Sequence, residues 1–222
     1  MNCQAIRLLL GHEAARIVSE LEQRSFTDGK LTASGFARDV KNNLQLKRDG
    51  REFSDLDKLV FEVFQRSAEF QAFAIPKRFA APIFSRYDPG MQYGSHVDNA
   101  FMGGPSGVRS DLSVTLFLSP PDSYDGGELV VEMALGEQQI KLDAGEAIVY
   151  PSSSVHHVAP VTRGVRYAAV TWVQSAVGDE RLRAILLDLT RTMEHPDAAR
   201  SPELSLLLSK SYHNLLRYAA ES

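Results

Sequence analysis

A run of short β-rich segments between residues 76 and 177 constrains the fold more than any other feature of this sequence. Asp88-Pro-Gly90, Asp125-Gly-Gly127 and Asp143-Ala-Gly145 separate the segments, and these residue types are typical of turns. Short strands divided by turns predict an all-β sandwich or barrel. We predict strands at 81–87, 112–118, 129–132, 138–142, 147–150 and 166–173, with 129–132 and 138–142 paired as a hairpin across Gly136.

Helical patterns precede this β-rich region. Apolar residues recur at helical spacing in 14–21 and in 56–64, and Ser54 is a residue type that commonly caps a helix N-terminus. Residues 27–51 are polar and contain three glycines, which predicts a loop with a short helix around 36–44.

Two more helical stripes follow the β-rich region, at 182–189 and 204–216. We therefore expect one domain over residues 1–177, with a helical part (1–75) and a β core (76–177), and then a helical segment (178–222). The apolar faces of the last helices either pack on the β core or form a homodimer contact.

Metal-binding residue types follow two of the predicted strands. His96 and Asp98 lie two positions apart, and on an extended segment such residues point the same way, so both can bind one ion. About one His-x-acid pair is expected by chance from the composition alone. The position of this pair, after a predicted strand and a Pro-Gly turn, is therefore what supports a metal site. A surface histidine beside a turn aspartate is the alternative interpretation.

A second histidine ligand is available from the pair His156-His157, which follows the predicted strand 147–150. Adjacent residues of a strand face opposite sides, so only one of the two can join His96 and Asp98 without a bulge. The residues alone do not decide which one, and a hydrogen-bonded core histidine is the alternative. Two imidazoles and one carboxylate are typical of a non-haem Fe(II) site, whereas zinc more readily takes four protein ligands.

Arg166 begins the last predicted strand and shares one face with small and apolar residues. Burying an arginine there is costly unless an anion pairs with it, and a carboxylate held by two parallel hydrogen bonds meets that need. The alternative is that Arg166 lies at an exposed strand end, as we expect for Arg163.

Composition excludes several other classes of protein. The chain has 24 basic and 28 acidic residues and a net charge of -4, which gives no electrostatic case for nucleic acid or an anionic membrane surface. A single cysteine, Cys3, excludes a disulfide framework. The sequence shows no membrane-spanning run and no signal peptide, so we expect a soluble cytoplasmic protein.

Five stretches of the β-rich region form a specific pattern when taken together. They are His96-Val-Asp-Asn-Ala-Phe-Met-Gly-Gly104, Arg109-Ser-Asp-Leu-Ser-Val-Thr-Leu-Phe-Leu118, Tyr124-Asp-Gly-Gly-Glu-Leu129, Tyr150-Pro-Ser-Ser-Ser-Val-His156 and Pro160-Val-Thr-Arg-Gly164. This pattern resembles the bacterial PKHD-type hydroxylases, which are Fe(II)/2-oxoglutarate-dependent dioxygenases of the prolyl 4-hydroxylase type. The similarity extends over essentially the full length, including Lys41-Asn-Asn43.

The resemblance implies an α+β fold. Its core would be a double-stranded β-helix of jelly-roll or cupin-like type, with N-terminal helices packed on it and a small C-terminal helical appendage. His96, Asp98 and His156 would bind the metal, Fe(II), and act as the catalytic residues. His156 is favoured over His157 because it occupies the family's histidine position.

The resemblance also implies a binding site for the co-substrate 2-oxoglutarate. Arg166 would hold its distal carboxylate, and Tyr87 resembles a tyrosine that contacts this co-substrate in related prolyl hydroxylases. At the position of a second tyrosine in those relatives, this chain has Phe117.

The implied activity is hydroxylation of an unactivated C–H bond in a small-molecule or peptide substrate. The reaction would use O2, release succinate and CO2, take ascorbate as reductant, and belong to bacterial iron homeostasis. One alternative is a cupin-like metal protein that does not use 2-oxoglutarate and would not need Arg166. The other is a non-catalytic iron-binding interaction module, which would show no coupled decarboxylation of 2-oxoglutarate. The glycine- and proline-containing loop 100–110 is either a mobile lid over the metal or an ordinary connection.

Overall fold

Antiparallel β-strands make up most of the centre of the molecule, in a computed structural model that describes residues 3–48, 54–104 and 106–220. The strands are β1 (Gln4–Arg7), β2 (Phe26–Asp28), β3 (Lys41–Asn42), β4 (Leu44–Leu46), β5 (Pro76–Phe79), β6 (Ile83–Tyr87), β7 (Gln92–His96), β8 (Phe101–Met102), β9 (Val108–Arg109), β10 (Leu112–Phe117), β11 (Asp125–Gly126), β12 (Leu129–Met133), β13 (Gly136–Ile140), β14 (Glu146–Pro151), β15 (His156–Val158), β16 (Val161–Arg163) and β17 (Arg166–Ser175).

Helices lie before and after the β core. They are α1 (Gly11–Glu22), α2 (Gly35–Asp39), α3 (Asp55–Arg66), α4 (Ala68–Ala74), α5 (Glu180–Glu194), α6 (Pro196–Ala199) and α7 (Pro202–Ala219), and a 3-10 turn spans Gly29–Thr32.

Two sheets face each other across the β core. The larger has the strand order β1-β14-β10-β17-β6-β4-β2, with β5 also paired to β17, and the smaller has the order β13-β12-β15-β7-β3. Phe117 and Tyr150 of the larger sheet pack in one apolar cluster with Leu129 and Val131 of the smaller sheet. This cluster holds the two sheets together.

The outer face of the larger sheet is covered by the N-terminal helices. Val114 of β10 and Ala169 of β17 pack in one buried cluster with Ile17 of α1 and Phe64 of α3. The amphipathic pattern of these helices produces this packing, because apolar side chains at helical spacing form a single stripe. Ser54 accepts a hydrogen bond from the Asp57 amide at the start of α3, so the predicted cap is confirmed.

All six predicted strands and the four long predicted helices are confirmed, within a few residues at their ends. The hairpin across Gly136 is also confirmed, with Val131 opposite Gln138. Loop 100–110 contains the two-strand pair β8–β9, and Pro105 lies outside the described residues.

The prediction of a helix over 36–44 is wrong in its second half. The helix α2 ends at Asp39, and the chain then continues as β3 and β4. Strand pairing with β7 and β6 overrides the local pattern, because it gives the backbone of this segment its hydrogen-bond partners. Residues 49–51 of the predicted loop lie outside the described residues.

The C-terminal helices follow the last strand. The helix α5 begins at Glu180 with Asp179 as its N-cap, lies against α4 and packs with α6 and α7. Within the described ranges, no helix combines the length and the apolar character needed to cross a membrane.

Candidate metal centre and anion-binding cavity

The smaller sheet brings the predicted metal ligands together. His96 ends β7, His156 begins β15, and the two residues are cross-strand partners. Asp98 follows β7 by two positions. Because β7 and β15 pair here, residues far apart in sequence meet in space.

The three side chains are arranged so that one metal ion could contact all of them. One ligand atom from each of His96, Asp98 and His156 lies within 4.8 Å of the others. His96 Nε2 lies 3.9 Å from Asp98 Oδ1, and His156 Nε2 lies 3.7 Å from Asp98 Oδ2. The imidazole centroids are 4.3 Å apart. Distances of this size leave room for an ion between the donors.

Backbone carbonyls orient both imidazoles. His96 Nδ1 lies 2.8 Å from the Gly94 oxygen, and His156 Nδ1 lies 3.0 Å from the Ser154 oxygen. A carbonyl oxygen only accepts, so each Nδ1 carries the proton and each Nε2 keeps its lone pair for a metal. Such partners of the outer ring nitrogen are usual in metal sites.

The larger sheet supplies a hydroxyl that holds Asp98. Ser113 Oγ, on the inner face of β10, donates to Asp98 Oδ2 at 2.5 Å and lies 2.8 Å from Ser152 Oγ. Ser113 is fully buried and Ser152 nearly so. Because one hydroxyl has only one proton to donate, Ser152 donates to Ser113 while Ser113 donates to the carboxylate.

The position of His157 differs from that of His156. His157 lies opposite Val130 of β12 and is only half-buried, and it is not part of the group formed by His96, Asp98 and His156. The alternation of a strand therefore separates the two adjacent histidines.

Arg166 is buried, and the described residues give it no anionic partner. Its exposure is 1 %, and among the described residues neither Nε nor Nη2 has a hydrogen-bond partner. Its Cζ lies 5.2 Å from the ring centroid of Tyr87 and 5.3 Å from that of Phe117. The guanidinium thus lies between two aromatic rings and keeps hydrogen-bond donors available for a ligand.

Gly127 and Tyr124 complete the surroundings of Arg166. A Cβ atom on Gly127 would approach Arg166 Cδ to 3.0 Å, and Gly127 has a φ of 67°, so only glycine fits there without strain. The Tyr124 hydroxyl is buried without a hydrogen-bond partner in the described part of the chain. Burial raises the pKa of Tyr124, and the Arg166 charge opposes that rise.

One cavity contains the three candidate metal ligands, His96, Asp98 and His156, together with Arg166 and Tyr87. Its empty volume is about 790 Å³, part of it open to solvent. The segment from Thr32 to Gln45 forms one wall. The sequence alone indicates no role for this wall, because residues 41–45 show no alternation of apolar and polar side chains.

The cavity favours neutral imidazole and disfavours a buried ammonium. Burial, followed by the charge of His156, lowers the pKa of His96 to about 4. Burial also lowers the pKa of Lys41 to about 8, although the carboxylates of Asp98 and Asp28 act in the opposite direction. A neutral histidine is the form that binds a metal.

Solved structures with the same fold include prolyl hydroxylases. A prolyl-4-hydroxylase from Pseudomonas putida is 21 % identical, with a TM-score of 0.59 over 78 % of this chain and 91 % of that one. A Trichoplax adhaerens prolyl hydroxylase, solved in complex with a peptide from the hypoxia-inducible factor oxygen degradation domain, is 20 % identical, with a TM-score of 0.56 over 82 % of this chain and 86 % of that one. These similarities confirm the double-stranded β-helix core.

Curated relatives match over nearly the whole chain. A PKHD-type hydroxylase from Rippkaea orientalis is 44 % identical over 211 residues, which is 95 % of each chain. The PKHD-type hydroxylase YbiX of Escherichia coli O157:H7 is 41 % identical over 220 residues, or 96 % of each chain. The chain belongs to the PKHD-type hydroxylases.

The model of the 2OG-Fe(II) oxygenase superfamily matches residues 82–174, which include both histidine-bearing strands and Arg166. This PKHD-type hydroxylase is therefore an Fe(II)/2-oxoglutarate-dependent oxygenase. The donor set of its cavity fits that family, because two imidazoles and a carboxylate suit Fe(II) and leave coordination positions open. The unpaired guanidinium of Arg166 fits a dicarboxylic co-substrate.

Proposed function

We propose that this PKHD-type hydroxylase binds Fe(II) through His96, Asp98 and His156 and hydroxylates an unactivated C–H bond of its substrate. Arg166 binds the distal carboxylate of 2-oxoglutarate, and Tyr87 contacts the same co-substrate. The reaction consumes O2 and releases succinate and CO2. The geometry of the three ligand side chains supports the metal assignment.

Bound Fe(II) and 2-oxoglutarate supply the oxygen activation that an oxidative hydroxylation needs. The protein contributes position and electrostatics. The carbonyls of Gly94 and Ser154 fix the two imidazoles, and the Ser113 hydroxyl fixes the Asp98 carboxylate. Tyr87 and Phe117 exclude water from the guanidinium, which strengthens its interaction with a carboxylate.

The unpaired guanidinium of Arg166 is the observation that carries this proposal. A buried cation without an anion is costly, and a bidentate carboxylate would remove that cost. A cupin-like protein that does not use 2-oxoglutarate would gain nothing from such an arginine. Non-catalytic iron binding would likewise leave it without a role.

Succinate release that depends on Fe(II) and 2-oxoglutarate tests the proposal. Asp98→Ala and Arg166→Ala should each lose it, because the first removes a metal ligand and the second removes the partner of the co-substrate. Arg163→Ala is the matched control, since Arg163 is exposed and paired with Asp125. Normal turnover in either test variant would overturn the assignment of that residue.

Further parts of the proposal concern the setting of the enzyme. We propose a cytoplasmic enzyme of bacterial iron homeostasis, with ascorbate as reductant. The division into an oxygenase domain (1–177) and a C-terminal helical segment (178–222) is supported by the position of Ser175 at the end of β17 and Glu180 at the start of α5. A homodimer contact through the C-terminal helices stays a prediction that sedimentation of the purified protein would test.

A further inference from the structure

The N-terminal wall of the cavity carries a polar strip, formed by Lys41, Asn43 and Gln45. All three side chains are buried and line the cavity, whereas Asn42 between the first two is exposed. Alternation of this kind follows from strand geometry, which places every second side chain on one face. The strip joins both sheets, because β3 pairs with β7 and β4 pairs with β6.

Lys41 is a buried cation with few partners. Its residue exposure is 5 %, and its one hydrogen bond within the described residues goes to Thr32 Oγ1 at 3.2 Å. The ammonium lies 4.9 Å from the ring centroid of Tyr93, which stacks on His96 at a centroid distance of 3.7 Å. An ammonium has three N–H donors, so two are left for a ligand beside the metal centre.

Asn43 is the second member of the strip with unused hydrogen-bonding capacity. It is 3 % exposed and lies near the Tyr87 hydroxyl, and neither Oδ1 nor Nδ2 makes a hydrogen bond of normal geometry among the described residues. Its side chain packs closely against Gly29, because a Cβ atom built on Gly29 would lie 1.9 Å from Asn43 Oδ1. Buried amides are normally hydrogen-bonded, so an amide that lines a cavity without a partner points to a ligand.

The charges of the cavity indicate the sign of that ligand. Lys41, Asp98 and Arg166 are the lysine, arginine and acidic side chains among the described residues that line it. In the proposed function, Fe(II) and the 2-oxoglutarate dianion cancel, and so do Asp98 and Arg166. Among the described side chains that line the cavity, Lys41 then leaves one positive charge, and the Asp28 carboxylate outside the lining is its remaining charged neighbour.

Gln45 completes the strip in a different way. Its Oε1 accepts from the Thr32 hydroxyl at 2.5 Å, and the same hydroxyl accepts from Lys41. The 3-10 turn that contains Thr32 thereby positions the ammonium. Gln45 is therefore a supporting residue for Lys41, whereas Lys41 and Asn43 keep donors for a ligand.

We propose that Lys41 and Asn43 bind a carboxylate of the primary substrate, with Lys41 as its counter-ion and the Asn43 amide as an additional hydrogen-bond donor. The substrate class is then an organic acid, either a small molecule or a peptide that presents its C-terminal carboxylate. This inference rests on the proposed function, because the reacting C–H bond must reach the metal centre while the carboxylate lies at the strip.

Paired substrates test the proposal. A panel of amino acids, N-acetyl amino acids and tripeptides is offered to the Fe(II)-loaded enzyme, each as the free acid and as its primary carboxamide. Substrate-stimulated 2-oxoglutarate consumption is measured. We expect stimulation by acids and not by their amides, and the small acids and the tripeptides separate the two sources of the carboxylate.

Lys41→Met then tests the residue itself. The KM for a stimulating acid should rise about tenfold or more, because a charge-assisted hydrogen bond is lost, while kcat changes less. Lys41→Arg should recover part of the affinity. Lys47→Met is the matched control, since Lys47 is an exposed lysine on the same segment, and near-UV circular dichroism checks the fold of each variant.

The possible outcomes are distinct. Equal stimulation by acids and amides, stimulation by no acid in the panel, or an unchanged KM in Lys41→Met would each overturn the carboxylate site. Wild-type enzyme that consumes no 2-oxoglutarate under any condition would instead contradict the proposed function.

Discussion

The two faces of the larger sheet carry different kinds of side chain. On β10, Leu112, Val114 and Leu116 face the helices, whereas Ser113, Thr115 and Phe117 face the cavity or its surroundings. On β17, Tyr167 and Ala169 belong to the helix-packed cluster, and Arg166 lies in the cavity. The same strands thus provide an apolar face that packs against the helices and a more polar face that lines the candidate site.

The difference between the two faces shows how the fold remains stable although some buried polar groups are unpaired. Arg166 and Asn43 lie on or beside the inner face with unpaired polar atoms, which lowers stability until a ligand binds. The outer face offsets this cost through a continuous apolar cluster with α1, α3 and α4. Substitutions on the two faces should therefore separate activity from stability.

Arg166→Met should show the largest effect. We expect turnover at low 2-oxoglutarate to fall at least about 100-fold, because two charge-assisted hydrogen bonds are lost. The melting temperature of the ligand-free protein should not fall, because removal of an unpaired buried cation also removes its desolvation cost. Calorimetry beside the succinate assay measures both quantities. A clear drop in melting temperature would show that this face also stabilises the fold.

Leu116→Ala should give the opposite result. Leu116 is 1 % exposed on the helix-packed face, and its truncation should cost about 2–5 kcal/mol of unfolding free energy. Turnover per folded molecule, measured well below the melting temperature, should stay near wild type. Urea denaturation and the succinate assay check the two parts. A large loss of turnover in folded protein would break the separation of the two faces.

Ser113→Ala should have an intermediate effect, confined to metal binding. The hydroxyl that Asp98 accepts from is removed, so affinity for Fe(II) should fall by about 10–100-fold, as for other supporting partners of metal ligands. Competition with a chelator measures that affinity. Iron affinity equal to that of wild type would show that Asp98 is positioned without Ser113.

The smallest expected effect is a pH dependence of the metal-free protein. The pKa of His96 is about 4 in the folded state, below its ordinary value of 6.5. The unfolded chain binds this proton more readily, so unfolding free energy should decrease as the pH falls from about 6.5 towards 4. Urea denaturation of chelator-treated wild type and His96→Gln at pH 7 and pH 5 tests this. Equal pH dependence in both proteins would contradict a contribution from His96.

Much of the fold follows from local sequence patterns. The strands at 112–118 and 166–173 were predicted from apolar runs between turn residues, and α3 was predicted from its stripe and its Ser54 cap. Such signals are local, because strand alternation and helix periodicity act within a few residues. The prediction of a helix over 36–44 was partly wrong for the same reason, because β3 and β4 depend on pairing with the distant strands β7 and β6.

The candidate site was predicted less completely. His96, Asp98, His156 and Arg166 were predicted, with the family resemblance deciding between His156 and His157. Ser113, Lys41 and Asn43 received no role, because an isolated serine, lysine or asparagine carries no local signal of the side chain it will meet. Their partners, Asp98 and the cavity, come from other elements.

The sequence by itself determined the chemistry that is available: two imidazoles, a carboxylate and an arginine, in an order that the family shares. Strand parity also determined that only one of His156 and His157 can face the metal. Only the tertiary structure decided what lies opposite each strand face. Arg166 is left unpaired between Tyr87 and Phe117, and Lys41 reaches the metal cavity, because packing of the two sheets joins distant segments. The arrangement depends on which strand faces of the two sheets meet, and local sequence does not determine that.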